Sequence, residues 1–320
     1  YTEIFALFGM KKEQFAKLLH TQNITKQWNI ALNMLRLRNE GFYNRQNCTD
    51  NNMSISSNYN SKSNRYSLLA NGIISSIKTD ENGGVSDTVF ENNLLVNKKL
   101  IPVNLLEART RRGNREFTVT QFLNFGKRDT ANKADSSRKK IIPRSSLSYS
   151  FSANESWFVH EDKDPSSGFY ENIFFDSALT HDSSHIFSFQ NTISWKSFFT
   201  KHVSAEISFS QKSSRLVQYK ADSILAADTL FKDDAVHFKI GKNIRDIWTK
   251  GFYWDLGGNY ITSGNYQGDY FAFGNFSYVF NQDKKISFEF SNSIHSLPLL
   301  YSVYSSNHFL WDKKNYYNKV

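Results

Sequence analysis

Hydrophobic and polar residues alternate along much of this chain with a period of two, and helical periodicity is scarce. In QWNIALNM, Trp28, Ile30, Leu32 and Met34 share one face, and Asn29, Ala31 and Asn33 the other. NMSISSNYN sets Met53, Ile55 and Tyr59 against Asn52, Ser54, Ser56 and Asn58. In REFTVTQFLNF the faces are Phe117, Val119, Leu123, Phe125 and Thr118, Thr120, Phe122, Asn124. SSLSYSFS opposes Leu147, Tyr149 and Phe151 to Ser146, Ser148, Ser150 and Ser152. HVSAEISFSQ opposes Val203, Ala205, Ile207 and Phe209 to Ser204, Glu206, Ser208 and Ser210. KISFEFSNSI opposes Ile286, Phe288, Phe290 and Ile294 to Ser287, Glu289, Ser291 and Ser293. Similar runs cover 66–76, 185–195, 236–241, 252–262 and 270–280. The pattern predicts an all-β chain of about twelve to fourteen strands, many of the length that crosses a bilayer at a tilt.

Two architectures alternate in this way. A soluble sandwich hides its apolar face in a core, whereas a transmembrane barrel turns that face to lipid and its polar face to a lumen. The predicted strands are longer than the usual soluble strand of about 5–6 residues. Their polar faces carry Ser, Asn and Thr more than Lys or Glu, unlike a solvated sheet face. Aromatics such as Trp28, Tyr59, Tyr66, Phe125, Trp195, Tyr270 and Phe280 stand near strand ends, where interfacial girdles belong. These features favour an antiparallel up-and-down transmembrane β-barrel.

The links give an independent criterion, because such barrels alternate short turns with longer external loops. Short links are predicted at 23–26, 60–64, 196–201, 243–251 and 281–284, and longer ones at 39–51, 79–114, 154–184 and 211–235. Two links break the alternation: 127–143 is too long and 263–269 too short. No repeat of fixed period is present, which disfavours a propeller or solenoid.

Composition removes several alternatives. The 320 residues include 28 Phe, 16 Tyr, 6 Trp and only 4 Pro, which argues against disorder. One cysteine, Cys48, excludes an internal disulfide framework and a cysteine-based zinc site, and it reads as a free thiol. No apolar run is long enough for a membrane-spanning helix. The chain starts at Tyr1 without a leader-like segment and stops inside a strand-forming run at Val320, which reads as an internal piece of a longer protein.

Several segments, taken in order, resemble a family. They are WNIALNMLRLRNEGFYNRQ (Trp28–Gln46), NYNSKSNRYSLLANG (Asn58–Gly72), ENGGV (Glu81–Val85), LIPVNLLEAR (Leu100–Arg109), FDSALTHDSS (Phe175–Ser184) and YSSNHFLW (Tyr304–Trp311). Together they are similar to the outer-membrane porins of Bacteroidetes-type bacteria. The resemblance implies one barrel domain over 1–320 in the bacterial outer membrane, without its last strands and C-terminal aromatic. It implies an outer-membrane barrel more firmly than any substrate.

The formal charge of +9 raises the question of nucleic acid. Its clusters, Arg109, Arg111, Arg112 and Arg115 and then Arg138, Lys139 and Lys140, fall in predicted links with no nucleic-acid-binding motif beside them. They read as loops near lipid headgroups or lipopolysaccharide. A loop carrying Arg109, Arg111, Arg112 and Arg115 into the lumen would favour anions. His181, Asp182, Ser183 and His185 contain the residue types of a hydrolase triad, but closeness in sequence is little sign of one. Ser306, Asn307 and His308 bring to mind an outer-membrane phospholipase site, yet their order and spacing do not match it and they suit a strand end or the lumen. His160, Glu161, Asp162 and Asp164 read as a solvated acidic loop without calcium-site spacing.

The sequence therefore predicts a porin that passes small hydrophilic solutes by diffusion, with no enzyme activity, cofactor or metal. Asn29, Asn33, Ser54, Ser56, Asn58, Ser148, Ser150, Ser208, Glu289 and Ser291 are expected to line the lumen. Leu32, Ile55, Leu147, Phe151, Ile207, Phe276 and Phe288 are expected to meet lipid. The implied partners are the bilayer, lipopolysaccharide and the solutes, with self-association left open. The rival readings are a barrel plugged by its own loops, acting as a structural or surface-binding platform, and a membrane phospholipase.

Overall fold

A computed structural model describes residues 1–10, 12–85, 97–128, 141–165, 168–200, 203–220, 224–242, 251–281, 284–296 and 303–312. The strands are β1 (Thr2–Phe8), β2 (Gln14–Asn23), β3 (Trp28–Asn39), β4 (Cys48–Asn60), β5 (Tyr66–Asp80), β6 (Arg109–Arg128) and β7 (Ile141–Asp162). They continue as β8 (Thr180–Phe198), β9 (Val203–Lys220), β10 (Ile224–Lys242), β11 (Gly251–Gly264), β12 (Tyr270–Asn281) and β13 (Lys284–Ile294). All lie in one 13-stranded sheet in chain order, and every neighbouring pair is antiparallel. The all-β, up-and-down architecture is thus the one predicted, and β1 and β13 are the sheet's two edges among the described residues. A separate hairpin follows, β14 (Val303–Ser305) and β15 (Leu310–Asp312).

The cross-strand register sorts side chains into two faces, since residues directly opposite in an antiparallel pair point the same way. One row runs Leu32–Ile55–Gly72–Phe117–Ala153–Phe189 across β3 to β8. Its neighbours on the other face run Asn33–Ser54–Ile73–Glu116–Asn154–Ser188. Among the described residues no layer covers the central belt of the apolar face: Ile55 is 53% exposed, Ile207 55% and Phe288 64%. Rings cover this face in pairs, as where Phe125 stacks on Trp195 at 5.9 Å and Phe276 on Phe290 at 6.2 Å. A water-soluble sheet would bury such a face, and this one is an exposed apolar surface far larger than a soluble monomer carries.

The two ends of the sheet differ. At one end β2–β3, β4–β5, β8–β9 and β12–β13 are joined by links of a few residues, and 129–140 and 243–250 fall at the same end. At the other end the links 40–47, 81–108 and 163–179 are longer. One predicted long link is mostly strand, and another is shorter than predicted. β9 and β10 pair from Val203↔Lys242 to Lys220↔Ile224, so all of the predicted link 211–235 except 221–223, which lies outside the described residues, is strand. The polar run that suggested a loop is matched across the strands, with Arg215 Nη2 2.6 Å from Asp228 Oδ2. The link predicted at 79–114 shrinks to 81–108 because β6 begins at Arg109.

Buried residues gather at the long-link end. Val103, Leu105 and Ala108 of the β5–β6 link are buried, and Val85 bridges to Val103. Gly83 takes a positive φ of 63° there, and a Cβ at that position would stand 2.7 Å from Leu105 and 3.0 Å from Phe169. Glycine permits both the turn and the close approach of the β7–β8 link.

Candidate functional site

The polar face is a ladder of short neutral side chains. Thr120 and Ser150 hydroxyls lie 2.9 Å apart, Ser188 and Ser214 2.9 Å, and Ser277 and Ser287 3.1 Å. Ser210 Oγ meets His237 Nε2 at 2.9 Å, and Asn275 donates to Asp255 at 3.2 Å. Two opposite-charge pairs stand on this face: Lys196 with Glu206 at 3.2 Å and Lys239 with Asp255 at 3.5 Å.

Asn29 and Asn33 of β3 stand on this face opposite Asn58 and Ser54 of β4, with Ser56 between those two. Ser148 and Ser150 of β7 lead across β8 to Ser208 of β9 through the pairs Ser148↔Ser194 and Ser194↔Ser208. Glu289 and Ser291 of β13 face Asn275 and Phe273. Every predicted lumen residue therefore shares one face. Leu32, Ile55, Leu147, Phe151, Ile207, Phe276 and Phe288 all share the other.

The arginine cluster is corrected. Arg109, Arg111, Arg112 and Arg115 are not in a loop but in β6, paired with β5 and β7. Three of them stand on the apolar-face side, each with a carboxylate: Arg109 with Asp80 at 3.0 Å, Arg111 with Glu161, and Arg115 with Glu155 at 3.3 Å. Opposite charges on adjacent strands hold this polar stretch in the ladder. Arg112 alone points to the polar face, opposite Phe158. The second cluster, Arg138, Lys139 and Lys140, lies outside the described residues.

Strand alternation also separates the triad-like residues. Asp182 is on the polar face, whereas His181 and His185 are on the other, 3.2 Å from Glu161 and 3.6 Å from Glu155. Cys48 opens β4 as a half-buried thiol that accepts from Thr79 Oγ1 at 3.8 Å.

The densest polar cluster forms where the tip of the β14–β15 hairpin meets the polar face. Asn307, 1% exposed, donates through Nδ2 to Asp176 O at 2.7 Å and to Thr180 Oγ1 at 2.9 Å. Its Oδ1 accepts from the Phe175 and Asp176 backbone at 3.0 Å, and its backbone N–H reaches Asp182 Oδ2 at 2.9 Å. His308 Nδ1 lies 2.9 Å from Asn172 O, which can only accept, so Nδ1 carries the proton. Nε2 then accepts from Thr180 at 2.7 Å. The Tyr170 ring stacks on this imidazole, and its hydroxyl donates to Asp162 Oδ2 at 2.9 Å.

Burial disfavours the charged forms of Tyr170, Asp182 and His160 in this cluster, which lies beyond the apolar belt. Burial first, and then Asp162, pushes the Tyr170 hydroxyl up. Burial raises the Asp182 carboxyl despite the Asn307 N–H. Burial lowers the His160 imidazole against the pull of Asp162. Of the segment predicted as a solvated loop, His160, Glu161 and Asp162 instead end β7, with Asp162 1% exposed, while Asp164 is exposed in the link that follows. No group of His, Cys, Asp and Glu among the described residues is placed to hold a metal ion. Ser306 Oγ accepts from the His308 and Phe309 backbone and is not paired with the imidazole, so the geometry here is that of a turn.

Comparison with known proteins adds the following. A family model described as "Putative porin" matches residues 1–319. Among solved structures, the siderophore receptor PiuA from Acinetobacter baumannii is similar with a TM-score of 0.47 and 10% identity. That likeness covers 90% of this chain and 45% of the receptor chain, so the chain spans less than half of that protein's length. Among curated proteins none matches.

Proposed function

Because the chain belongs to the "Putative porin" family, we propose that its sheet is part of an outer-membrane barrel through which small hydrophilic solutes diffuse. The observation that carries this reading is the division of the faces. Asn29, Asn33, Ser54, Ser56, Asn58, Ser148, Ser150, Ser208, Glu289 and Ser291 stand together on a hydrogen-bonded polar face, and the opposite face is an uncovered apolar belt. A polar face of hydroxyls and amides exchanges hydrogen bonds with passing water and solute at low cost. The passage needs no covalent step and no cofactor. Selectivity on this reading comes from pore width and from the fixed pairs Lys196–Glu206 and Lys239–Asp255.

A second reading is favoured by the hairpin. Asn307 and His308 dock it on the polar face at the long-link end, which would narrow or close the passage there. Single-channel conductance of the full-length protein in planar bilayers separates the two. Steady conductance that scales with salt is expected for the porin. A folded, heat-modifiable barrel without conductance would favour the plugged platform.

A further inference from the structure

On the apolar face a groove lies just below a set of cations without a carboxylate in contact. The groove holds about 420 Å³ and is walled by Ile55, Ile74, Phe117, Phe187 and Phe189. It exists because Gly72 and Ala153 flank Phe117 in one cross-strand row, so large side chains are missing there. A Cβ on Gly72 would meet only Ile55 Cγ2 at 3.4 Å and Glu116 O at 4.0 Å. Arg115 closes the groove towards the long links, its guanidinium held by Glu155 and 5.0 Å over the Trp157 ring.

Above it, on the same face, stand Arg36 and Arg38 of β3 and Lys78 of β5, all exposed. Neighbouring Arg109, Arg111 and Arg115 have their acids, and Glu40 pairs with Lys12 at 2.8 Å and acts on Arg38 only from beyond contact distance. Among the described residues no carboxylate lies within salt-bridge distance of Arg36, Arg38 or Lys78. The register places neutral Asn51 and Ser76 in the row with Arg36, and Thr49 between Arg38 and Lys78. β3 and β5 are separated by about 10 Å, so three long cationic side chains can close over that neutral patch. Clustered like charges are unfavourable until an anion joins them, and guanidinium groups bind phosphate in a bidentate fork.

We propose that Arg36, Arg38, Lys78 and the Gly72–Ala153 groove form a site for one phosphorylated acyl lipid of the external leaflet. The phosphate sits over Asn51 and Ser76 and an acyl chain lies along the groove. Three cations without a carboxylate in contact select a lipid with more than one negative charge over a zwitterionic one. The proposal rests on the outer-membrane reading above, with the longer links external.

The test uses the full-length protein in nonionic micelles, with lipid A as the probe and phosphatidylcholine and inorganic phosphate as comparisons, bound lipid being counted by native mass spectrometry. Wild type is expected to retain lipid A at least tenfold more tightly than either comparison. Arg36→Ser with Arg38→Ser and Lys78→Ser should lose that tenfold preference. Gly72→Leu, which fills the groove and keeps every charge, should weaken lipid A binding about tenfold. Unchanged binding in either variant overturns the proposal, and so does inorganic phosphate binding as tightly as lipid A. Should the triple variant misfold, Arg36→Lys with Arg38→Lys, which keeps the charge and removes the fork, should weaken lipid A binding but keep its preference over phosphatidylcholine, and loss of that preference with normal heat-modifiability counts against a charge site. Protease protection after insertion into phosphatidylcholine vesicles checks the membrane reading separately. A protein that inserts without lipid A preference removes only the site, whereas one that never inserts removes both.

Discussion

The Tyr170 ring lies flat on the His308 imidazole, centroids 3.6 Å apart and planes 5° from parallel. One residue belongs to the β7–β8 link and the other to the tip of the β14–β15 hairpin, so this contact joins distant parts of the chain. Their polar atoms extend the junction, Tyr170 to Asp162 and His308 to Thr180 and Asn172. The hairpin is thereby fastened over the polar face.

Asn307 is the main fastener. Asn307→Ala removes the partners of the Phe175 and Asp176 N–H groups and of Thr180. Losing several bonds in a buried site should cost about 3 kcal/mol and raise the hairpin's opening roughly a hundredfold. Hydrogen exchange at 172–182 and 304–309 should quicken by that factor while the centre of the sheet stays protected. Unchanged exchange at 304–309 would show that other contacts hold the hairpin.

The raised Asp182 carboxyl gives the same junction a pH dependence of known sign. Burial raises it above its ordinary 3.8, so the docked state favours the protonated acid. The contribution is fully present below the ordinary value and is lost as pH rises through the raised one. Tyr170, Tyr304, His181, His308 and Lys220 surround the carboxyl, so the comparison must isolate it. Asp182→Asn keeps an acceptor for Asn307 N–H without the charge. Hairpin exchange should therefore rise with pH more in wild type than in Asp182→Asn, and parallel curves would refute the assignment.

Charge placed on the two faces of β9 should have unequal effects. Ile207→Lys puts an ammonium into the belt, at a cost of about 2–4 kcal/mol near a bilayer's midplane and less towards its edges. Ser208→Lys puts it on the polar face. Refolding yield into vesicles, read by heat-modifiable mobility, should fall sharply for the first and little for the second. Equal yields would contradict the division of faces.

Ion preference gives a further check. Arg111 and Arg115 stand on the apolar-face side with Glu161 and Glu155, so Arg111→Ser and Arg115→Ser should leave the reversal potential unchanged. Arg112→Ser, on the polar face, should shift it towards cation preference. A shift from Arg115→Ser equal to that from Arg112→Ser would place both side chains in the conducting path.

The faces of the sheet were legible in the sequence because period-two alternation is local: Ile207 and Ser208 declare their sides without knowledge of the fold. β1 was not legible, since TEIFALF is apolar on both faces and carries no clear alternation. Arg109 to Arg115 read as a loop because the carboxylates that match them, Asp80, Glu155 and Glu161, lie on other strands. The Tyr170–His308 junction was hidden for the same reason. Its one local trace is the turn-forming Ser305-Ser306-Asn307 between Tyr304 and Trp311.

The central claim, that the polar face meets water and the apolar face lipid, is tested most directly by thiol accessibility along β4. Single cysteines at 53–58, in the Cys48→Ser background of the full-length protein in vesicles, would be exposed to a membrane-impermeant maleimide. The account predicts labelling at Ser54, Ser56 and Asn58 and protection at Met53, Ile55 and Ser57. Uniform labelling, or the reverse alternation, would contradict it.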